Sequence, residues 1–183
     1  MNGEAVRLKT PRDAMRHGLT YLSEDRKGRG LHVDMALKDN LTMMTLERYA
    51  HLLVDIRAER GALVVAVKDF GIRTGNASIR ARMLSGGNQQ KLALAKFLHP
   101  DPRVIVLGEP TRGVDVGAKR DIYFLIHRLA AEGRAVIVIS SELIELIGLC
   151  HRVAVMCVGE LVATLGMDLL TEERLIAHAT GTH

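Results

Sequence analysis

Tryptophan is absent from this sequence, and the other large aromatics amount to three Phe and three Tyr. Basic residues are scattered and the net charge is only +4. The interleaved basic and aromatic pattern that grips nucleic acid is therefore missing, and no nucleic-acid partner is expected. Cysteine is scarce as well: Cys150 and Cys157 lie near apolar segments without metal-ligand spacing, which reads as two buried reduced thiols. The eight His show no zinc-like spacing, and no metal-ligating cluster is expected. No apolar stretch approaches the roughly 20 residues needed to span a bilayer. The first residues, Met1, Asn2, Gly3 and Glu4, have no signal-peptide core, so a cytoplasmic chain is expected.

What remains is a globular composition, 48% hydrophobic and 25% charged. A chain of 183 residues favours one domain, with roughly two-thirds of its unfolded surface buried. The stretch that orders the rest is LSGGNQQK, residues 84–91. An apolar residue, a hydroxyl, two glycines and a helix-forming polar run describe a loop that opens a helix. The unpaired N–H groups of its first turn, the helix dipole and the Ser85 hydroxyl make an anion site, and glycines let a phosphate approach. The plainer alternative is that Ser85 only caps a helix after a Gly-Gly turn. A second marker follows. Val104, Ile105, Val106 and Leu107 form a short apolar run suited to a strand buried on both faces, with Glu109 and Pro110 at its carboxyl end, where an open α/β sheet places its ligand crevice.

The remaining elements can be read in order. Residues 4–8 alternate weakly, as a short strand would. Thr10 and Pro11 start a helix that Gly18 ends, and residues 19–23 make a strand. The charge run over residues 24–30 is a loop. From 35 to 98 helical signals dominate: Ala36, Leu37, Asn40, Leu41, Met44 and Thr45 have near-helical spacing, and Ile56, Leu63, Val64, Val67 and Phe70 share one broad face. Asp115 caps a helix over 116–132 whose buried face is Ile122, Leu125, Ile126 and Leu129. Residues 135–139 are another core strand. A short helix to Leu149, a strand over 152–156, a turn at Gly159, a strand to Thr164 and a helix opened by Thr171 complete the chain. Strand-helix-strand crossovers with apolar strands mean an α/β layered fold.

LSGGNQQK, VIVLGE and RGVD resemble the signature, the Walker B strand with its glutamate, and the D-loop of the nucleotide-binding domain of ATP-binding cassette (ABC) transporters. NQQK, PTRGVDVGAK, ISSEL and YLSEDRKGRGL are similar to the second, C-terminal cassette of the tandem ATPases that power bacterial uptake of ribose, galactose or xylose. The resemblance implies a P-loop-NTPase-like parallel-sheet core, truncated at its N-terminus, with an inserted helical signature subdomain. Its parts would be 1–34, a partial β part with the coupling loop; 35–98, the helical subdomain; and 99–183, the α/β core. It implies ATP and Mg2+ as cofactors, another cassette and transmembrane permease subunits as partners, and a place on the inner face of the plasma membrane. By position, Ser85, Gly86, Gly87, Asn88 and Gln90 would touch a nucleotide held by the other cassette, with Glu109 the candidate general base and Asp115 in the D-loop. Ser141 stands at the switch position, and Glu24 and Asp25 lie in the loop that meets the membrane subunit.

Three departures temper this. The phosphate-loop pattern G-x-x-x-x-G-K followed by Ser or Thr is not found, and Gly28, Arg29 and Gly30 do not substitute for it. Gly108 stands where the family has the Walker B Asp. Ser141 replaces the switch His, as it does in the sugar-importer second cassettes. A base without metal and phosphate in place has little to act upon, so this chain alone is expected to be inactive and to donate half of a composite site. The competing expectations are a truncated cassette with a structural role and a non-transport ABC ATPase; the long heptads of the chromosome-organising members are not visible.

Overall fold

The computed structural model describes residues 3–50 and 52–181. They form two compact units, Met1–Ile137 and Val138–His183.

The first unit begins with α1, Pro11–Arg16, opened by a capping box between Thr10 and Asp13. Strand β1, Leu19–Leu22, pairs in parallel with β2, Val104–Gly108, setting Leu19 opposite Val104 and Leu22 opposite Leu107. Between these neighbours the chain makes a long helical excursion through α2 (Leu37–Thr42), α3 (Ile56–Asp69) and α4 (Gly86–Leu98). After β2 comes α5, Val116–Ala131, capped by Asp115 and burying Ile122, Leu125, Ile126 and Leu129, the face that its periodicity predicts. Strand β3, Ala135–Ile139, completes the sheet order β1-β2-β3. The architecture is mixed α/β with a parallel sheet.

Four local expectations fail for identifiable reasons. Residues 4–8 form no strand. Strand β3 is not a core strand here, because Ile137 and Ile139 are each about half exposed (51% and 53%). Strand β2 buries Ile105 and Leu107 fully, while Val104 and Val106 on its other face are only half-buried. Helix α3 turns a different stripe inward: Glu59, Leu63 and Ala66 are buried, while Val64 and Ile56 are exposed. A buried carboxylate costs several kcal/mol unless it is bonded. Glu59 is, since the Thr42 hydroxyl donates to it at 2.6 Å and Lys38 Nζ at 3.1 Å. Satisfying that acid fixes the rotation of α3. Asn40 is likewise fully buried, accepting from His32 N at 2.8 Å and donating to His32 O at 2.9 Å, so it ties residue 32 to α2.

The second unit holds α6 (Leu143–Leu149), the antiparallel pair β4 (Arg152–Cys157) and β5 (Glu160–Gly166), and α7 (Glu172–Thr180). Its core is Leu146, Val153, Val155, Leu165, Leu170 and Leu175. Both cysteines are free thiols, half-buried rather than buried, because each sits at the end of an element. Burial, and secondarily the Glu145 charge, raises the pKa of Cys150. Among the described residues no helix is long and apolar enough to cross a membrane.

The β4–β5 hairpin closes on Val158 and Gly159, both with positive φ (50° and 84°). This primed turn suits Asn-Gly, whereas a β-branched residue is strained in it. Val158→Asn is expected to raise the unfolding free energy by about 1 kcal/mol, read as a higher urea midpoint with an unchanged slope.

Candidate functional site

Ser85 is exposed and caps α4 with extended backbone angles, φ −62° and ψ 159°. Its Oγ accepts from Asn88 N at 3.5 Å and from Asn88 Nδ2 at 2.9 Å. Asn88 Oδ1 in turn accepts from Arg73 N at 2.7 Å, so this side chain is engaged within the chain and holds the 71–76 segment to the capping serine. With two N–H groups directed at its oxygen, the Ser85 hydroxyl proton is left to donate elsewhere. The amides of Gly86 and Gly87 open the helix and have no intrahelical acceptor.

The two glycines are required by the chain itself. A methyl group on Gly87 would stand 2.7 Å from Ala118 Cβ and 3.3 Å from Asp115 Oδ2; one on Gly86 would stand 3.2 Å from Gly113 O. Asp115 caps α5 by accepting from Ala118 N at 2.9 Å. The first turn of α4 thus packs through the bare Gly87 backbone against the Ala118 and Asp115 side chains at the start of α5, which brings Asp115 beside Gly87.

Gln90 is buried and turned inward, accepting from Arg26 Nη1 at 3.2 Å. Burial lowers the pKa of Arg26. Three further polar residues of α4 are also inward, and sequence reasoning did not single them out as anchors. Gln89 donates to Ala81 O and Leu84 O at 3.3 and 3.2 Å. Lys91 pairs with Asp121 at 2.6 Å and donates to Gly71 O at 3.1 Å. Lys96 donates to Gly30 O at 2.8 Å. Their close spacing in a helix otherwise made of Leu and Ala was the available signal, since polar residues all round a core helix must find partners inside.

A second group gathers at the carboxyl ends of β1 and β2. A Cβ on Gly108 would lie 3.2 Å from Leu22 O and 3.3 Å from Glu24 N, so the end of β1 and the chain after it lie close over Gly108. Glu109 follows, half-buried, with φ 45°, a left-handed conformation unusual for a residue with a side chain. Glu24 pairs with Arg112 at 2.9 Å on the surface. Asp25 caps the π-type turn Arg26–Gly30 by accepting from Gly28 N at 2.9 Å, and a methyl on Gly28 would collide with its Oδ2. Ser141 lies in the second unit, exposed, one residue after Ser140, whose hydroxyl donates to the Glu145 carboxylate.

No family model matches the chain. A ribose/galactose/methyl galactoside import ATP-binding protein of Burkholderia lata is 43% identical over 182 residues, 98% of this chain and 36% of that protein. A ribose import ATP-binding protein of Yersinia pestis is 43% identical over 99% of the chain and 36% of its own length. The chain belongs to the ATP-binding cassette family. The ADP conformation of MJ1267, an ATP-binding cassette of an ABC transporter, shares its fold with a TM-score of 0.72 at 20% identity, over 94% of this chain and 72% of that one. A dimeric post-hydrolysis state of the cassette MJ0796 bound to ADP and Pi gives 0.70 at 19%, over 83% and 64%. The chain spans about a third of the length of the curated relatives it matches.

Nucleotide and metal fit this cassette segment unequally. An exposed serine hydroxyl at a helix start suits a phosphate oxygen. Among the described residues no three His, Cys, Asp or Glu are grouped to hold a metal ion, and Gly108 supplies no ligand.

Gly87→Ala is expected to lower the unfolding free energy by about 1–3 kcal/mol through overpacking, and Ala118→Gly added to it should restore part of the loss; urea unfolding of the four-member cycle measures both. Lys96 provides a pH test. Burial lowers its pKa from 10.5 to about 8, so between those values the unfolded chain binds more protons than the folded one. Stability should therefore rise across that window by linkage, and the slope should be lost in Lys96→Met when urea midpoints are compared with pH.

Proposed function

We propose that this chain is part of the ATP-binding component of a sugar importer, and that the start of α4 completes a nucleotide site whose phosphates are held mainly by a second cassette. The single observation that carries this is the state of Ser85: exposed, at the positive end of a 13-residue helix, with its oxygen engaged by Asn88. Ser85 and Gly86 are the proposed phosphate contacts, and Gly87, Asn88 and Gln90 hold that turn in place. Asp115, against Gly87, belongs to the same dimer-facing surface.

Glu109 is the proposed general base of the family reaction and Ser141 the residue at its switch position. In the family, ATP is used with Mg2+; no step through the metal is assigned to this chain. Glu24 and Asp25, in the loop braced by Arg112 and by Gly28, are the proposed contact with the permease subunits. We carry forward the division into 1–34, 35–98 and 99–183 and a position on the inner face of the membrane as parts of the same proposal. Import of ribose or a related sugar is what the relatives' names support. A second reading, a catalytically silent cassette with a structural role, is favoured by one observation, Gly108 in place of the Walker B acid.

In a transporter assembled with this chain, Ser85→Trp should abolish ATP hydrolysis while the chain stays folded by circular dichroism, its melting temperature lowered only as far as the loss of one helix cap requires; normal turnover would overturn the contact. Calorimetric titration of the chain alone with ATP should show weak or no binding, and micromolar affinity would overturn the half-site.

A further inference from the structure

Helix α4 touches the 24–30 loop at two places. Gln90 accepts from Arg26 Nη1 at 3.2 Å near the start of the helix, and Lys96 Nζ donates to Gly30 O at 2.8 Å near its end. The two attachment points are ~9 Å apart along the helix axis. The chain between Arg26 and Gly30 is internally braced: Arg29 N and Gly30 N both donate to Asp25 O, at 2.8 and 3.1 Å, and Leu31 N donates to Arg26 O at 2.7 Å. A stiff turn fixed at both ends to one helix has little freedom to move apart from it.

The residue type at position 96 is not explained by filling space. Lys96 is 4% exposed, and among the described residues its ammonium faces no carboxylate in an ion pair and has the Phe97 ring (5.5 Å) and the Gly30 carbonyl as partners. A Met of similar length would fill the same room without removing an ammonium from water. What Lys supplies and Met does not is a strong donor to a buried backbone carbonyl.

We propose that Lys96 is a positioning residue that makes the 24–30 loop and α4 move as one body, so that displacement of the loop reaches Ser85 at the far end of the helix. This rests on reading the loop as the permease contact and Ser85 as the nucleotide contact, but its physical content can be tested without either ligand. Lys96 touches neither the nucleotide nor the permease; it acts through the Gly30 carbonyl.

Amide hydrogen exchange on the intact chain compares wild type with Lys96→Met and Lys96→Arg. In the Met variant, protection of the Arg29, Gly30 and Leu31 amides should fall at least tenfold, with α4 protection and the melting temperature unchanged or higher. The Arg variant, which keeps the donor, should retain loop protection. Unchanged loop protection in the Met variant overturns the proposal, as does equal loosening of loop and helix, which marks a purely structural role. Transmission is read by NMR. Gly28→Ala, which disturbs the turn at Asp25, should move the Asn88 and Gln89 amide resonances, and Lys96→Met should at least halve that shift. No shift in the Gly28→Ala protein overturns the lever. A failed Ser85 experiment would leave these outcomes unaffected, so the two readings fail separately.

Discussion

Helix α4 lies where it does because Gly87 carries no side chain. At Gly87 even a methyl would be 2.7 Å from Ala118 Cβ, so the first turns of α4 and α5 share a contact that no other residue permits. That approach brings Asp115, which caps α5, beside the turn capped by Ser85, and places Gly113 O over Gly86. Two helix starts, each with the positive end of its dipole, are thereby held side by side. A Cβ on Gly87 would meet the side chains of Ala118 and Asp115, and one on Gly86 the Gly113 carbonyl, so the bare backbone at both positions also serves the packing of the chain itself.

Everything else about α4 follows from its burial on nearly all sides. Leu92, Ala93, Leu94 and Ala95 supply the apolar contacts, yet Gln89, Gln90, Lys91 and Lys96 are buried too. Each of these side chains has an identified partner: the Ala81 and Leu84 carbonyls just before the helix for Gln89, and Arg26, Asp121 and Gly30, 30 or more residues away, for the others. A buried polar group is costly when unpaired and directional when paired. The same groups that burden the helix energetically therefore fix its register against the 24–30 loop, the 71–76 segment and α5. The site is accordingly rigid where the serine is presented.

The second cluster shows the opposite economy. Gly108 lets the end of β1 and the residues after it settle close by, with Leu22 O 3.2 Å and Glu24 N 3.3 Å from a would-be Cβ, and Glu24 pairs with Arg112. Restoring a carboxylate there would require that backbone to retreat. The family relationship fixes the fold, and a nucleotide is the ligand proposed for it.

Much was legible in the sequence because its cause is local. The Ser85 and Asp115 caps, the buried stripe of α5, the parallel apolar strand before Glu109 and the hairpin at Gly159 all depend on residues within a few positions of one another, and a helix cap or a period of 3.6 needs no distant partner to be read. What only the tertiary structure decided are the choices made between segments 15 to 64 residues apart. Glu59 rather than Val64 faces inward because Thr42 and Lys38 reach it, Asn88 serves Arg73, Gln90 serves Arg26, and β3 is left half exposed. Local pattern states which residues can be buried; pairing of polar groups across the fold states which of them are.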